Sequence, residues 1–191
     1  NFSATDIYQR RSNKPQGGMF AVDAFDILTK GVTLEELARS QNMTDVQMDG
    51  QVIEPYKRKV GDIFKIGNYV YLPPADIETI ASTIQTTGKG VMVWFYFTYD
   101  EWTNEPRIID PNLNVISQNA VRHSVTAVDY TIWNGKKAII IEDSWGKQYG
   151  WEGQRVITED FFKARNYYAG YALDFDFTEK PDEPIKYKFT K

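Results

Sequence analysis

Apolar residues return along this chain in two rhythms, one helical and one alternating, and polar turn-rich stretches separate them. Ala21, Val22, Phe25 and Leu28 keep a helical face and Gly31 follows as a C-cap, so the spacing predicts an amphipathic helix over 19–30. Thr33 with Glu36 three residues later has the form of a capping box and predicts a shorter helix through about Ser40. Residues 1–18 are polar and turn-rich, and a polar loop is expected up to about Glu54. Residues 59–72 alternate apolar and aromatic positions around Gly61 and Gly67, which predicts two short strands or one bent strand, stopped by Pro73 and Pro74. Asp76 can cap a helix through about Thr86, and the aromatic run over 91–99 fits a buried strand.

Residues 100–118 are expected to form a long connection. Beyond it, 124–131 and 137–142 flank Trp133-Asn134-Gly135-Lys136, and Asn-Gly between two apolar strands is a strong signal for a tight hairpin. Strands over 154–157 and 168–175, with a helix over 158–165 between them, complete an α+β pattern with helices early and antiparallel strands late. The tail TEKPDEPIKYKFTK, with two prolines and alternating charge, reads as an extension or linker. The expected division is therefore a domain over 1–177 and a terminal extension over 178–191. The first residues show neither an initiator Met nor an opening strand and read as a chain entered midway.

Composition narrows the function classes. With 191 residues, 42% hydrophobic and 15% aromatic, the chain can bury one real core. A net charge of -4 with scattered Lys and Arg lacks the basic footprint of a nucleic-acid partner. No window reaches the roughly 18 to 20 apolar residues of a membrane span, so a soluble chain is expected. Secretion and membership of a larger particle both stay open. The sequence has no Cys and one His, which excludes disulfides, Cys-ligated zinc and any multi-histidine metal centre; no metal or cofactor is expected.

The informative constellation is VRHSVTAVDY at 121–130 followed by IIIEDSWGKQYGWEGQRVI at 139–157. Alone, His123 would be an ordinary surface or core histidine, and Asp143-Ser144-Trp145-Gly146 an ordinary turn; the ordered set is what persuades. It resembles the papain-like cysteine peptidase family, in which a strand beginning at the catalytic His is followed by a hairpin return strand ending in Asn-Ser-Trp-Gly. Here His123, Asp143, Ser144, Trp145, Gly146, Gly150 and Gly153 fall on that pattern in order. NFSATDIYQRR is similar to the family segment after the central helix, and Gly17-Gly18-Met19 to the Gly-Gly turn whose backbone pairs with substrate.

The resemblance implies a papain-like α+β fold, mainly its antiparallel β-rich half with a few helices. It implies peptide-bond hydrolysis with His123 as base and acid and Asp143, in place of the usual Asn, orienting the imidazole. Trp145 would shield that hydrogen bond, with Ser144 beside it in the motif. Gly17, Gly18 and Met19, together with Val121, Arg122 and Ser124, would line the substrate cleft. The nucleophilic Cys is expected on an upstream or separate segment, which would then be a partner of this chain alongside a protein or peptide substrate. The alternative is a catalytically inactive structural or binding module in a larger assembly; a sugar-binding or cell-wall domain has no motif behind it.

Overall fold

The computed structural model describes residues 1–103, 108–111 and 120–176. They fall into two compact units, Asn1–Tyr69 with the residues from Leu173 onward, and Val70–Ala172. The chain leaves the first unit within strand β1, Lys65–Leu72, and returns within strand β7, Asn166–Asp176.

The first unit is built from short helices wired together by polar side chains. Helix α1, Ala4–Gln9, lies in the stretch expected to be irregular; Ser3 caps it by accepting from the Asp6 amide at 3.1 Å. Helix α2, Ala21–Lys30, stands where the periodicity predicts it, with Gly31 as its C-cap. The helix expected from Thr33 to Ser40 is absent, because long-range partners take the groups a capping box would use. The Thr33 amide donates to Asp6 at 3.0 Å, its hydroxyl to the Lys57 carbonyl at 2.5 Å, and Leu34 bridges to Phe2. A capping box forms instead at Thr44 and Gln47, opening helix α3, Asp45–Gly50, inside the expected loop. Helix α4, Pro55–Val60, and a 3-10 turn over Gly61–Ile63 replace the first half of the strand pattern expected over 59–72, leaving the single strand β1.

Buried charge in this unit is paired. Asp6, 2% exposed, accepts from the Arg58 guanidinium, and Arg11 grips Asp49 with two hydrogen bonds of 2.7 and 2.6 Å. Gly31 has a φ of 95°, and a Cβ built on it would lie 2.2 Å from the Gly61 carbonyl oxygen. Both the left-handed backbone and the close approach demand glycine. Gly31→Ala is expected to destabilise by at least about 1–3 kcal/mol, read as a lower denaturation midpoint; an unchanged midpoint would show that the backbone at Gly61 yields freely.

The second unit carries the sheet. Strand β2 is Val91–Phe97, β3 Ile108–Ile109, β4 Val121–Trp133, β5 Lys136–Glu142 and β6 Gln154–Thr158. The full strand order is β1-β7-β2-β4-β5-β6-β3. The β2–β7, β2–β4, β4–β5 and β5–β6 pairs are antiparallel, and β3 joins β6 in parallel. Helix α5, Ile77–Thr87, is capped by Asp76 as its sequence predicts, and helix α7, Glu159–Arg165, by Thr158. Their apolar faces supply Ile77, Ile80, Ile84, Phe161 and Phe162 to a core shared with Val93, Phe95, Phe97, Ile139, Ile141 and Ile157.

The hairpin forms as Asn-Gly predicts. Asn134 and Gly135 have φ of 48° and 76°, the positive pair a type I′ turn requires, between the register partners Trp133 and Lys136. The β4–β5 ladder slips between Ala127 and Asp129, leaving Val128 as a surplus residue. Within the expected connection over 100–118, the described residues form the end of helix α6, Tyr99–Thr103, and strand β3. The extension over 178–191 lies outside the described residues.

Candidate active site

The hairpin decides which residues meet. Glu142, the last residue of β5, stands opposite Thr126 of β4, so Asp143 arrives beside the beginning of β4, where His123 projects. His123 Nε2 lies 2.9 Å from Asp143 Oδ1, the contact expected from the sequence. The Asp143 carboxylate is fully buried, while His123 keeps 16% of its side chain exposed. The pair is thus anchored on its inner side and reachable on its outer one.

An ionised carboxylate only accepts hydrogen bonds, so Nε2 must carry the hydrogen of this contact. The other ring nitrogen, Nδ1, is then the one that takes up or releases a proton. Aromatic rings surround the imidazole: Trp102 at 5.5 Å between centroids, Trp145 at 5.6 Å and Phe97 at 5.9 Å. They keep water from the hydrogen bond and lower the local dielectric, which strengthens it. The Trp145 ring stands tilted beside the imidazole, and its amide donates to Asp143 Oδ1 at 3.3 Å. Ser144 is exposed in the turn beside it.

Two residues that the sequence reading did not single out complete the surroundings of Asp143. The Trp102 indole N–H donates to Oδ2 at 2.9 Å, and the Arg155 guanidinium Nη2 lies 3.2 Å from the same oxygen. Trp102 is held in place by its neighbour Glu101, 4% exposed, which accepts from the Thr98 amide at 2.8 Å and from Arg165 Nη2 at 2.6 Å. Arg155 is fully buried, donates through Nη1 to the Trp102 carbonyl, and packs its guanidinium near the rings of Tyr149, Trp102 and Trp145. Its Nε and Nη2 have no hydrogen-bond partner among the described residues, so the charge of Asp143, 3.2 Å from Nη2, carries the compensation for burying the guanidinium.

The electrostatics follow from these contacts. Burial pushes the Asp143 carboxyl up, but the hydrogen bonds from His123 and Trp102 and the charges of His123 and Arg155 outweigh it and hold it below the ordinary carboxylate range. Burial pulls Arg155 below the ordinary arginine range, with the Asp143 charge acting against it. A signal for Arg155 existed in the sequence: it is the one charged position in the apolar strand pattern of β6, and a charge there must find a buried partner. Trp102 gave none, lying in what read as a connection.

The other candidate residues are distributed on both units. Val121 lies against the core on the His123 face of β4, whereas Arg122 and Ser124 occupy the alternate face. Arg122 sits over the rings of its register partner Tyr96, at 5.3 Å, and of Tyr167, at 5.9 Å. Ser124 is exposed opposite Trp94. Gly17, Gly18 and Met19 belong to the first unit; both glycines are exposed, and Asn13 Nδ2 donates to their carbonyls at 3.1 and 3.3 Å. Among the described residues no cluster of three or more His, Asp or Glu side chains could hold a metal ion. No described helix is long and apolar enough to cross a membrane.

Comparison with known proteins agrees with this geometry. A profile described as papain family cysteine protease matches residues 4–164. Among solved structures, xylellain, a cysteine protease from Xylella fastidiosa, superposes with a TM-score of 0.75 at 15% identity, covering 91% of this chain and 70% of that one. The digestive procathepsin L2 proteinase from Tenebrio molitor larval midgut gives a TM-score of 0.65 at 21% identity, covering 91% and 53%. The bromelain protease from Ananas comosus, solved in complex with the E64 inhibitor, gives 0.65 at 17% identity, covering 90% and 77%. The chain spans about half the length of the procathepsin. At these identities the likeness is one of fold, which is the expected papain-like α+β fold. No curated protein matches the chain.

Proposed function

Because the chain belongs to the papain family of cysteine proteases, we propose that it is the histidine-bearing part of a peptide-bond hydrolase whose nucleophilic Cys lies on a segment outside this sequence. The observation that carries the reading is the buried Asp143 carboxylate accepting from His123 Nε2 at 2.9 Å, on an imidazole side chain that keeps 16% exposure, which leaves Nδ1 as the base.

In this reading His123 Nδ1 takes the proton of the thiol. The thiolate attacks the peptide carbonyl, and the imidazolium returns the proton to the leaving amine; water then repeats the cycle to release the acyl group. Asp143 orients the ring and stabilises its cationic form, and Trp145 screens the pair. Gly17, Gly18 and Met19 would pair with the substrate main chain, and Val121 would contact a side chain; Arg122 and Ser124 stand on the face of β4 away from His123.

A specific observation supports a second reading: the sequence contains no cysteine, as an inactive structural or binding module would not need one. Labelling of native material with a thiol-directed epoxide, followed by mass spectrometry, separates the two. The peptidase reading expects one labelled cysteine, on a polypeptide that contains this sequence or remains bound to it, with labelling lost in His123→Ala. No labelled cysteine on any such polypeptide overturns it in favour of the module.

A further inference from the structure

The two oxygens of Asp143 face different chemistry. Oδ1 meets His123 Nε2 at 2.9 Å and, more weakly, the Trp145 amide at 3.3 Å. Oδ2 meets one donor, the Trp102 indole N–H at 2.9 Å, and the positive charge of Arg155, whose Nη2 lies 3.2 Å away as an ion pair, both side chains of that pair being fully buried. A carboxylate satisfies both sides because both of its oxygens accept. An amide of the same shape cannot, since one of its two ends is a donor.

From this asymmetry we infer that Trp102 and Arg155 are positioning residues that make a carboxylate obligatory at position 143 and thereby hold His123 as its Nε2–H tautomer. With Asn at 143, two orientations are open. Placing the amide nitrogen toward Trp102 and Arg155 sets donor against donor and presents an NH2 group to a buried cation. Placing the carbonyl there satisfies both and turns the NH2 toward His123; its only new conflict is with the Trp145 amide at a distance where hydrogen bonding is already weak. The second orientation wins. An NH2 facing Nε2 requires a lone pair on that nitrogen, so the neutral ring must move its hydrogen to Nδ1. The nitrogen that should act as base is then blocked.

The inference rests on the proposed roles of His123 and Asp143 only for its catalytic consequence; the tautomer itself is measurable without any peptidase activity. His123 is the one histidine of the sequence, so the two imidazole nitrogens of the 15N-labelled chain give an unambiguous long-range 1H–15N spectrum. In alkaline buffer the native chain is expected to show a protonated Nε2 and a bare Nδ1. Asp143→Asn is expected to exchange the two signals, and the triple variant Asp143→Asn, Trp102→Phe, Arg155→Met to restore the native pattern.

A native pattern in folded Asp143→Asn overturns the inference. If that variant does not fold, Asp143→Asn with Arg155→Met is read instead; Trp102 alone still demands the carbonyl, so the exchanged pattern is expected and a native one is again fatal. Absence of any labelled cysteine in native material, with the tautomers as predicted, would count against the peptidase reading and leave the clamp intact.

Discussion

Asp143→Ala is expected to lower the stability of the chain by about 3–5 kcal/mol, the cost of stranding one member of a buried ion pair. The variant leaves the Arg155 charge without its counter-charge in a site with no exposure, and removes the acceptor of the Trp102 indole N–H. A surface carboxylate lost by the same change would alter stability by well under 1 kcal/mol. The mechanism is checked by a double-mutant cycle in denaturant unfolding. Arg155→Met in the Asp143→Ala background should recover most of the loss, because an apolar side chain of similar reach needs no partner. Failure of Arg155→Met to recover stability would place the loss in packing.

The same pair gives this prediction a pH signature. Asp143 is held below the ordinary carboxylate range in the folded chain. Its stabilising contribution is therefore fully present above the unfolded-state value of about 3.9. It disappears as pH falls through the depressed folded value. The stability difference between native chain and Asp143→Ala should be largest near neutrality and shrink in acid; a difference that does not change with pH argues against an ionised Asp143.

Phe95→Ala should be comparably damaging for a wholly apolar reason. Phe95 is fully buried in β2, with its ring 5.7 Å from that of Phe161 and 5.6 Å from that of Phe162. Truncation removes the ring's transfer energy and leaves a cavity between sheet and α7 that rigid neighbours fill only in part, at about 3–5 kcal/mol. The denaturation midpoint should fall with little change in slope, since the surface exposed on unfolding is nearly the same. Phe95→Leu, which keeps most of the volume, should cost clearly less; equal losses would mean that the aromatic contacts, not the volume, hold this layer.

The parts of the fold legible in the sequence are those whose signal is local. Asn134-Gly135 announces a hairpin because a positive φ at both central residues is a property of the two residues themselves. Helices α2 and α5 show in their periodicity, and α5 also in the Asp76 cap. Thr33 misled because its capping groups are spent on Asp6 and Lys57, 27 and 24 residues away, which no local pattern encodes. The same holds at the site. His123, Asp143 and Trp145 were legible as an ordered motif across a hairpin, whereas Trp102 reaches Asp143 from 41 residues away along the chain.

The surplus residue Val128 gives the hairpin a further property. On either side of it β4 keeps strict alternation, so the count of residues from Ala127 back to His123 decides which face of the sheet the imidazole occupies. Val128 works as slack in the strand: the ladder with β5 pairs in step on either side of it, and Val128 has no register partner of its own there. Losing a residue between His123 and Ala127 would carry the imidazole across the sheet, onto the side where Arg122 and Ser124 now stand. Losing Val128 itself would leave every pairing on both sides in step. The strand thus has one place where its length can change by a residue without moving His123 away from Asp143.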